Sequence, residues 1–263
     1  MTAESRSILE VIHASKRFSG LVAVDHATLD VKRGSITALI GPNAAGKTTL
    51  FNLISGFLHL DTGTIRFDGS SIGGRAPHVI ARSGLVRTFQ LTKALTGMSV
   101  LENVMLAATR QPGEHLTGLW LRPGANRRRE AEVRDRAMEQ LRKFDLDSVA
   151  GEYAGTLSGG QRKLLELARA LMADPRLVLL DEPMAGVNPT LGQRLLEYIT
   201  DLRDSSGLTF LFIEHDMEVV MRYAEHIIVM AEGRVIAEGG AEHIRAHPAV
   251  IDAYLGTALE AGK

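Results

Sequence analysis

Residues 36–55 read ITALIGPNAAGKTTLFNLIS. A β-prone run, a loop with glycine at each end and an apolar segment at helical spacing make a strand, a turn and a helix in that order. The loop fits G-x-x-x-x-G-K-[ST] through Gly41, Gly46, Lys47 and Thr48, and it sits in the setting where that pattern has a physical reason. Glycine lets the backbone approach a polyphosphate closely, and converging N–H groups satisfy its oxygens. Lys47 can reach the β- and γ-phosphates, and the Thr48 hydroxyl suits Mg²⁺. The loop as a whole (Gly41, Pro42, Asn43, Ala44, Ala45, Gly46, Lys47, Thr48 and Thr49) is expected to hold a nucleoside triphosphate.

Around this stretch the chain alternates between two textures. ILEVIHA, TLDV and TIRFDG are short β-prone runs in the first third. From about 75 to 172 helical periods take over, in MSVLENVMLAATR and EAEVRDRAMEQLRKF, with charges opposite the apolar face. Between them a stretch rich in Pro, Gly and polar residues, near 111–129, reads as an excursion from the surface. The charge run RRREAEVRDR reads as a solvated helix face. From 177 the aliphatic runs LVLL, LTFLFI and IIVM return, the first two separated by a helical segment over about 190–204. EGRVIAEG suggests a hairpin, and AEHIRAHPAVIDAYLG one or two short helices. The expected fold is α/β, a P-loop NTPase core with a mostly parallel sheet, an N-terminal antiparallel β subdomain and an inserted helical lobe. One domain over 1–263 is expected, with 1–90 and 173–263 forming the core and 91–172 the lobe.

The bulk composition limits the classes. The chain has 263 residues, 45% of them apolar, and a formal charge of -1, which gives no support for wholesale nucleic-acid binding. It has no cysteine, so disulfides, thiolate catalysis and cysteine-ligated metals are excluded. MTAESRSILEV does not read as a signal peptide. The apolar runs reach about six residues against the roughly 20 needed to cross a bilayer. A cytoplasmic location is expected, with docking to a membrane partner left open.

Two further segments carry chemistry. TLSGGQRKLLELARALMADP pairs Ser158 with Gln161 as a capping box, puts Leu164, Leu165, Ala168, Leu171 and Met172 on one face, and closes at Pro175. A well-capped structural helix needs no glycine pair, whereas Gly159 and Gly160 expose N–H groups at the positive helix end, as phosphate binding requires. Two phosphate-reading elements in one chain are consistent with a head-to-tail dimer in which each nucleotide meets the loop of one chain and the Ser-Gly-Gly of the other. The second segment, LVLLDEPMAGVNP at 177–189, runs an aliphatic strand into Asp181 and Glu182. Adjacent carboxylates are costly if buried alone, but beside a metal ion and a water they can take separate tasks.

The phosphate loop, LSGGQ at 157–161 and LVLLDEP occur in the order and spacing of the ATP-binding subunits of ABC transporters, and the chain resembles that family over nearly its whole length. The resemblance implies ATP and Mg²⁺ as ligands, with ATP sandwiched between two subunits. It implies that Asp181 binds near Mg²⁺ through water, that Glu182 polarises the attacking water and that His215, in EHD, touches the γ-phosphate. Gln90, in RTFQ, is implied to sense Mg²⁺ and that water, on a loop that contacts the membrane subunit. Phe18 is implied to stack on adenine, although an aromatic near a β-turn also fits a core position.

DEPMAGVNP, IEHDMEVVM, HPAVIDAYLG and the insertion bearing Trp120 and NRRR are similar to the larger ATPase of branched-chain amino acid importers. That likeness implies a second ATPase subunit (a heterodimer or a homodimer), integral membrane permeases and, indirectly, an external solute-binding protein, with no nucleic acid. The chain would then sit peripherally on the inner face of the cytoplasmic membrane. ATPases for urea or amide uptake and for lipopolysaccharide export share parts of these signatures. Soluble ABC ATPases acting on nucleic acid or ribosomes carry two cassettes or a long coiled-coil insertion, and neither is found here. Glu182 and His215 argue against a module that only binds. Two positions depart from the family pattern. Ala44 stands where glycine is usual, and is strained if φ is positive but tolerated in a helical or bridge conformation; reduced freedom with binding retained is expected. Asn188 stands where aspartate is usual, keeping the hydrogen-bonding shape without the charge.

Overall fold

A computed structural model describes residues 7–88, 95–108 and 123–260. Gln90, Trp120 and most of the polar excursion lie outside the described residues. The chain divides into two compact units, the first formed by Met1–Arg87, Arg176–Met184 and Ile199–Lys263, the second by Thr88–Pro175 and Ala185–Tyr198.

The first unit is built on two sheets. In the smaller, β1 (Ser7–Phe18) pairs antiparallel with β2 (Leu21–Lys32) and with β4 (Thr62–Phe67), and the two-residue β5 (Ser70–Ser71) lies beside β4. The larger has the order β10-β9-β3-β8-β7-β6. Its strands are β3 (Ile36–Ile40), β6 (Leu85–Arg87), β7 (Leu177–Asp181), β8 (Thr209–Ile213), β9 (His226–Ala231) and β10 (Arg234–Gly239). All neighbours are parallel except β9 and β10, which form the hairpin expected of EGRVIAEG. β3, β7 and β8 are buried at every position, as central parallel strands covered on both faces must be. Helix α1 (Lys47–Ile54) delivers Leu50, Phe51, Leu53 and Ile54 to a core shared by both sheets, which includes Leu9, Val11, Ile65 and Phe67 from one and Leu39, Leu179, Leu211 and Met230 from the other. Each such side chain contributes about 1.5–3 kcal/mol on burial.

The sheet register positions the chemistry. Parallel pairing sets Asp181 opposite Ile213 and Leu39 opposite Ile213, so the C-terminal ends of β3, β8 and β7 open at one edge. This is the edge at which open α/β sheets bind ligands. β6 was not visible as a strand in the helical-looking stretch after 75; three residues show no periodicity, and pairing with β7 makes the strand.

The second unit is helical. α2 (Pro77–Arg82) belongs to the first unit, and α3 (Val100–Leu106) opens the second with a full capping box between Ser99 and Glu102. α4 (Pro123–Lys143) starts inside the stretch read as an excursion, with proline at its first turn, where a missing N–H costs nothing. Its surface pairs Arg128–Glu132 and Lys143–Glu139, spaced i,i+4, agree with a solvated face. α4 packs against α3 and against α5 (Gly159–Leu171), burying Val133, Ala137 and Leu141. α6 (Pro189–Ser206) starts in the second unit, whereas α7 (Met217–Tyr223), α8 (Ala241–Ala246) and α9 (Pro248–Glu260) belong to the first.

Candidate functional site

The loop between β3 and α1 owes its shape to two glycines. Gly41 has φ 148°, and a Cβ there would lie 2.0 Å from the Met230 carbonyl oxygen; Gly46 has φ 95°, and a Cβ would lie 2.3 Å from that of Ala23. Any side chain at either position would displace the backbone of a neighbouring strand. Gly46 caps α1 with no side-chain bond, and no acid stands in the first turn, so the positive end of the helix faces the loop uncompensated. Thr48 is exposed on that first turn and Thr49 is half-buried. Ala44 has φ 62°, the left-handed conformation in which a Cβ is strained by about 1–2 kcal/mol. The tolerant alternative, a helical or bridge angle, is not the one adopted.

Lys47 is 6% exposed, and its Nζ donates to the carbonyls of Gly41 (2.7 Å) and Pro42 (2.8 Å), which holds the ammonium across the loop. Burial lowers its pKa, while the charges of Glu182 and then Asp181 oppose that shift. The lysine therefore feels both carboxylates at the end of β7. Tyr254 on α9 accepts a hydrogen bond from the Gly41 backbone, a contact between distant segments that no local pattern announces; burial still leaves its pKa raised.

The two carboxylates at 181 and 182 have different surroundings. Asp181 is 4% exposed and its Oδ2 accepts from Arg87 Nη2 at 2.7 Å. The same guanidinium donates to Asn52 Oδ1 (2.6 Å) on α1 and to Ser55 Oγ (3.1 Å) at its C-cap, and lies over the Phe51 ring at 5.6 Å. Glu182 is half-buried with φ 48°, its N–H donates to the Ile213 carbonyl (3.1 Å), and its Oε1 lies 2.9 Å from His215 Nε2. The Glu182–His215 contact brings together two residues singled out separately. Arg87 was missed: its partner is 94 positions away, and RTFQ drew attention only to its last letter.

Phe18 ends β1, is 43% exposed and lies 5.6 Å from Lys16 Nζ, so it is a surface aromatic and not a core one. Ser158–Gln161 belong to the second unit. The capping box is complete, with Gln161 N–H donating to Ser158 Oγ (3.2 Å) and Ser158 N–H to Gln161 Oε1 (3.0 Å). Ser158 and Gly159 are exposed. Gly160 has a packing role absent from the sequence argument: a Cβ there would come within 2.0 Å of Leu191 Cδ2. Asn188 accepts from Leu191 N–H (2.9 Å), capping α6.

The family model described as "ABC transporter" matches residues 24–185, and that described as "Branched-chain amino acid ATP-binding cassette transporter" matches residues 234–260. A probable branched-chain amino acid transport ATP-binding protein of Archaeoglobus fulgidus is 44% identical over 253 residues, 95% of each chain. A high-affinity branched-chain amino acid transport ATP-binding protein of Pseudomonas aeruginosa is 44% identical over 255 residues, 97% of this chain and 100% of the relative. The crystal structure of a nucleotide-free ATP-binding cassette from an ABC transporter superposes with a TM-score of 0.82 at 37% identity, covering 95% of this chain and 99% of that one.

Proposed function

The chain belongs to the ABC transporter family of ATP-binding subunits, and from that premise we propose that it hydrolyses ATP to drive uptake of branched-chain amino acids. The observation that carries the proposal is the Glu182–His215 contact at the sheet edge where Lys47 and the phosphate loop converge. In this reading the loop N–H groups, the α1 terminus and Lys47 neutralise the phosphates, and Phe18 offers its exposed face to adenine. Glu182 aligns a water for attack in line with the γ-phosphate. His215, held by Glu182, fixes the γ-phosphate geometry.

The Thr48 hydroxyl, in the first turn of α1, and the Asp181 carboxylate, whose charge acts on the neighbouring Lys47, are hard oxygen donors of the kind Mg²⁺ takes, and Gln90, outside the described residues, is assigned to sense the ion. When bound, the ion would neutralise charge developing between the β- and γ-phosphates. Arg87 keeps the Asp181 carboxylate oriented.

Ser158, Gly159, Gly160 and Gln161 are assigned to the nucleotide of a second ATPase subunit, in a head-to-tail pair; the exposed, fully capped helix end supports this. Among the described residues no helix is long and apolar enough to cross a membrane. The proposed partners are therefore a second ATPase, permease subunits that supply the channel and, through them, an external binding protein; the chain would attach peripherally to the inner membrane face. Substrate choice rests on the relatives' names and on the match over 234–260.

The test uses this chain assembled with its permeases in vesicles, comparing Glu182→Gln with the unaltered protein. ATP binding should persist while phosphate release and leucine, isoleucine or valine uptake stop together. Undiminished release would reject the Glu182 assignment, and ATP-driven uptake of urea but not of leucine would reject the substrate.

A further inference from the structure

Glu214 has no task in the mechanism above, yet it lies between the two residues that do. It follows the last residue of β8, is 5% exposed, and uses its two carboxylate oxygens on different parts of the chain. Oε1 accepts from Met184 N–H at 2.8 Å, and Oε2 accepts from His215 N–H at 3.1 Å. Met184 is two residues past Glu182, and His215 Nε2 lies against Glu182 Oε1. The contacts close a ring: Glu182, Pro183, the Met184 amide, the Glu214 carboxylate, the His215 amide, the imidazole, and Glu182 again.

Such a ring is needed here. Glu182 has φ 48°, a left-handed conformation that a residue with a Cβ keeps only where its surroundings over-determine it. Its N–H is held by the Ile213 carbonyl, but that fixes only the start of the turn. The Met184 bond fixes the other end. A neutral side chain would not serve equally: both donors are N–H groups, so both positions must be acceptors, and only a carboxylate offers two. Burial raises the Glu214 pKa, the two amide bonds oppose that rise, and the nearby Glu182 charge adds to it. A buried carboxylate kept beside another carboxylate is otherwise a poor choice for stability.

We propose that Glu214 is a positioning residue for hydrolysis, locking the backbone of Glu182 and the ring of His215 into a single geometry. The inference rests on the functional reading above. It is tested in the assembled complex with Glu214→Gln and Glu214→Ala, measuring kcat and KM for ATP together with direct ATP titration. Loss of positioning lowers kcat by about 10- to 100-fold in Glu214→Ala, with KM and Kd changed by less than about threefold because the phosphate loop is untouched. Glu214→Gln, which keeps one acceptor and close to the same volume, falls between this and the unaltered protein. Equal kcat in Glu214→Gln and the unaltered protein overturns the proposal, as does a joint fall of kcat and ATP affinity in Glu214→Gln, which would mark general damage. Should Glu214→Ala fail to fold, the glutamine variant decides alone. Absence of hydrolysis by the unaltered complex would overturn the functional reading and this assignment with it, whereas hydrolysis that is indifferent to position 214 overturns this assignment only.

Discussion

Arg87 and Asp181 form an ion pair whose side chains are 7% and 5% exposed, at 2.7 Å. Replacing Arg87 by Met removes the guanidinium while keeping much of the stem volume over Phe51. Ser55 Oγ retains its own bond to the Phe51 carbonyl (2.5 Å), so the main loss falls on the Asp181 carboxylate. Breaking a buried pair by removing one partner costs about 3–5 kcal/mol, because the remaining charge stays desolvated. Asp181→Asn strands the guanidinium in the same way, softened by Asn52 and Ser55, and should cost about 2–3 kcal/mol. The double substitution leaves no unpaired charge, so it should recover about 2–4 kcal/mol relative to the sum of the single losses. Urea unfolding of the isolated, nucleotide-free chain, followed by far-UV circular dichroism, measures all four corners of the cycle without relying on activity. A coupling below about 0.5 kcal/mol, within ordinary additivity, would refute the idea that each charge depends on the other.

Three other outcomes are expected. Ala44→Gly relieves a left-handed alanine worth about 1–2 kcal/mol but adds unfolded-state entropy worth about 0.4–1 kcal/mol, so thermal unfolding should show a gain of roughly 0.5 kcal/mol, and ATP titration little change in affinity. Gly160→Ala drives a methyl into Leu191 and should cost about 1–3 kcal/mol; Leu191→Ala in the same chain should return part of that loss, and no return would show that the crowding lies elsewhere. Glu166, on α5 and 9% exposed, has its pKa raised to about 7 by burial, opposed by Lys163 and Arg169. The folded state then holds the proton more tightly than the unfolded state, so stability falls as pH rises from the ordinary value of 4.5 through about 7, by about 1–3 kcal/mol in all. Glu166→Gln should flatten that slope and raise the melting temperature at pH 8 but not at pH 4; an unchanged slope would show that another group carries it.

What could be read from the letters alone followed the range of the interactions. The phosphate loop was legible because strand, loop and helix are contiguous and the glycine requirement is local. The Ser158–Gln161 box was legible for the same reason, being closed within four residues. Separate roles for Glu182 and His215 were implied by family likeness, but their contact depends on β7 and β8 pairing in parallel with Asp181 opposite Ile213. Arg87 and Glu214 stayed hidden because each acts across strands, on partners 94 and 30 positions away. Ala44 was recognised as unusual, yet whether it was strained depended on a backbone angle that composition does not specify. The crowding of Gly160 by Leu191 stayed hidden because Leu191 lies on another segment, 31 positions on.

The seat that Gly160 offers Leu191 also bears on how such proteins can be recombined. A methyl at 160 requires the branched tip at 191 to move, so the two positions are coupled although they stand 31 apart in the sequence. A chimera that imports residues 157–161 from a homologue while keeping 186–191 of this chain would mix halves of a fitted pair. Exchanging both segments together, as a single cassette, keeps the fitted pair intact.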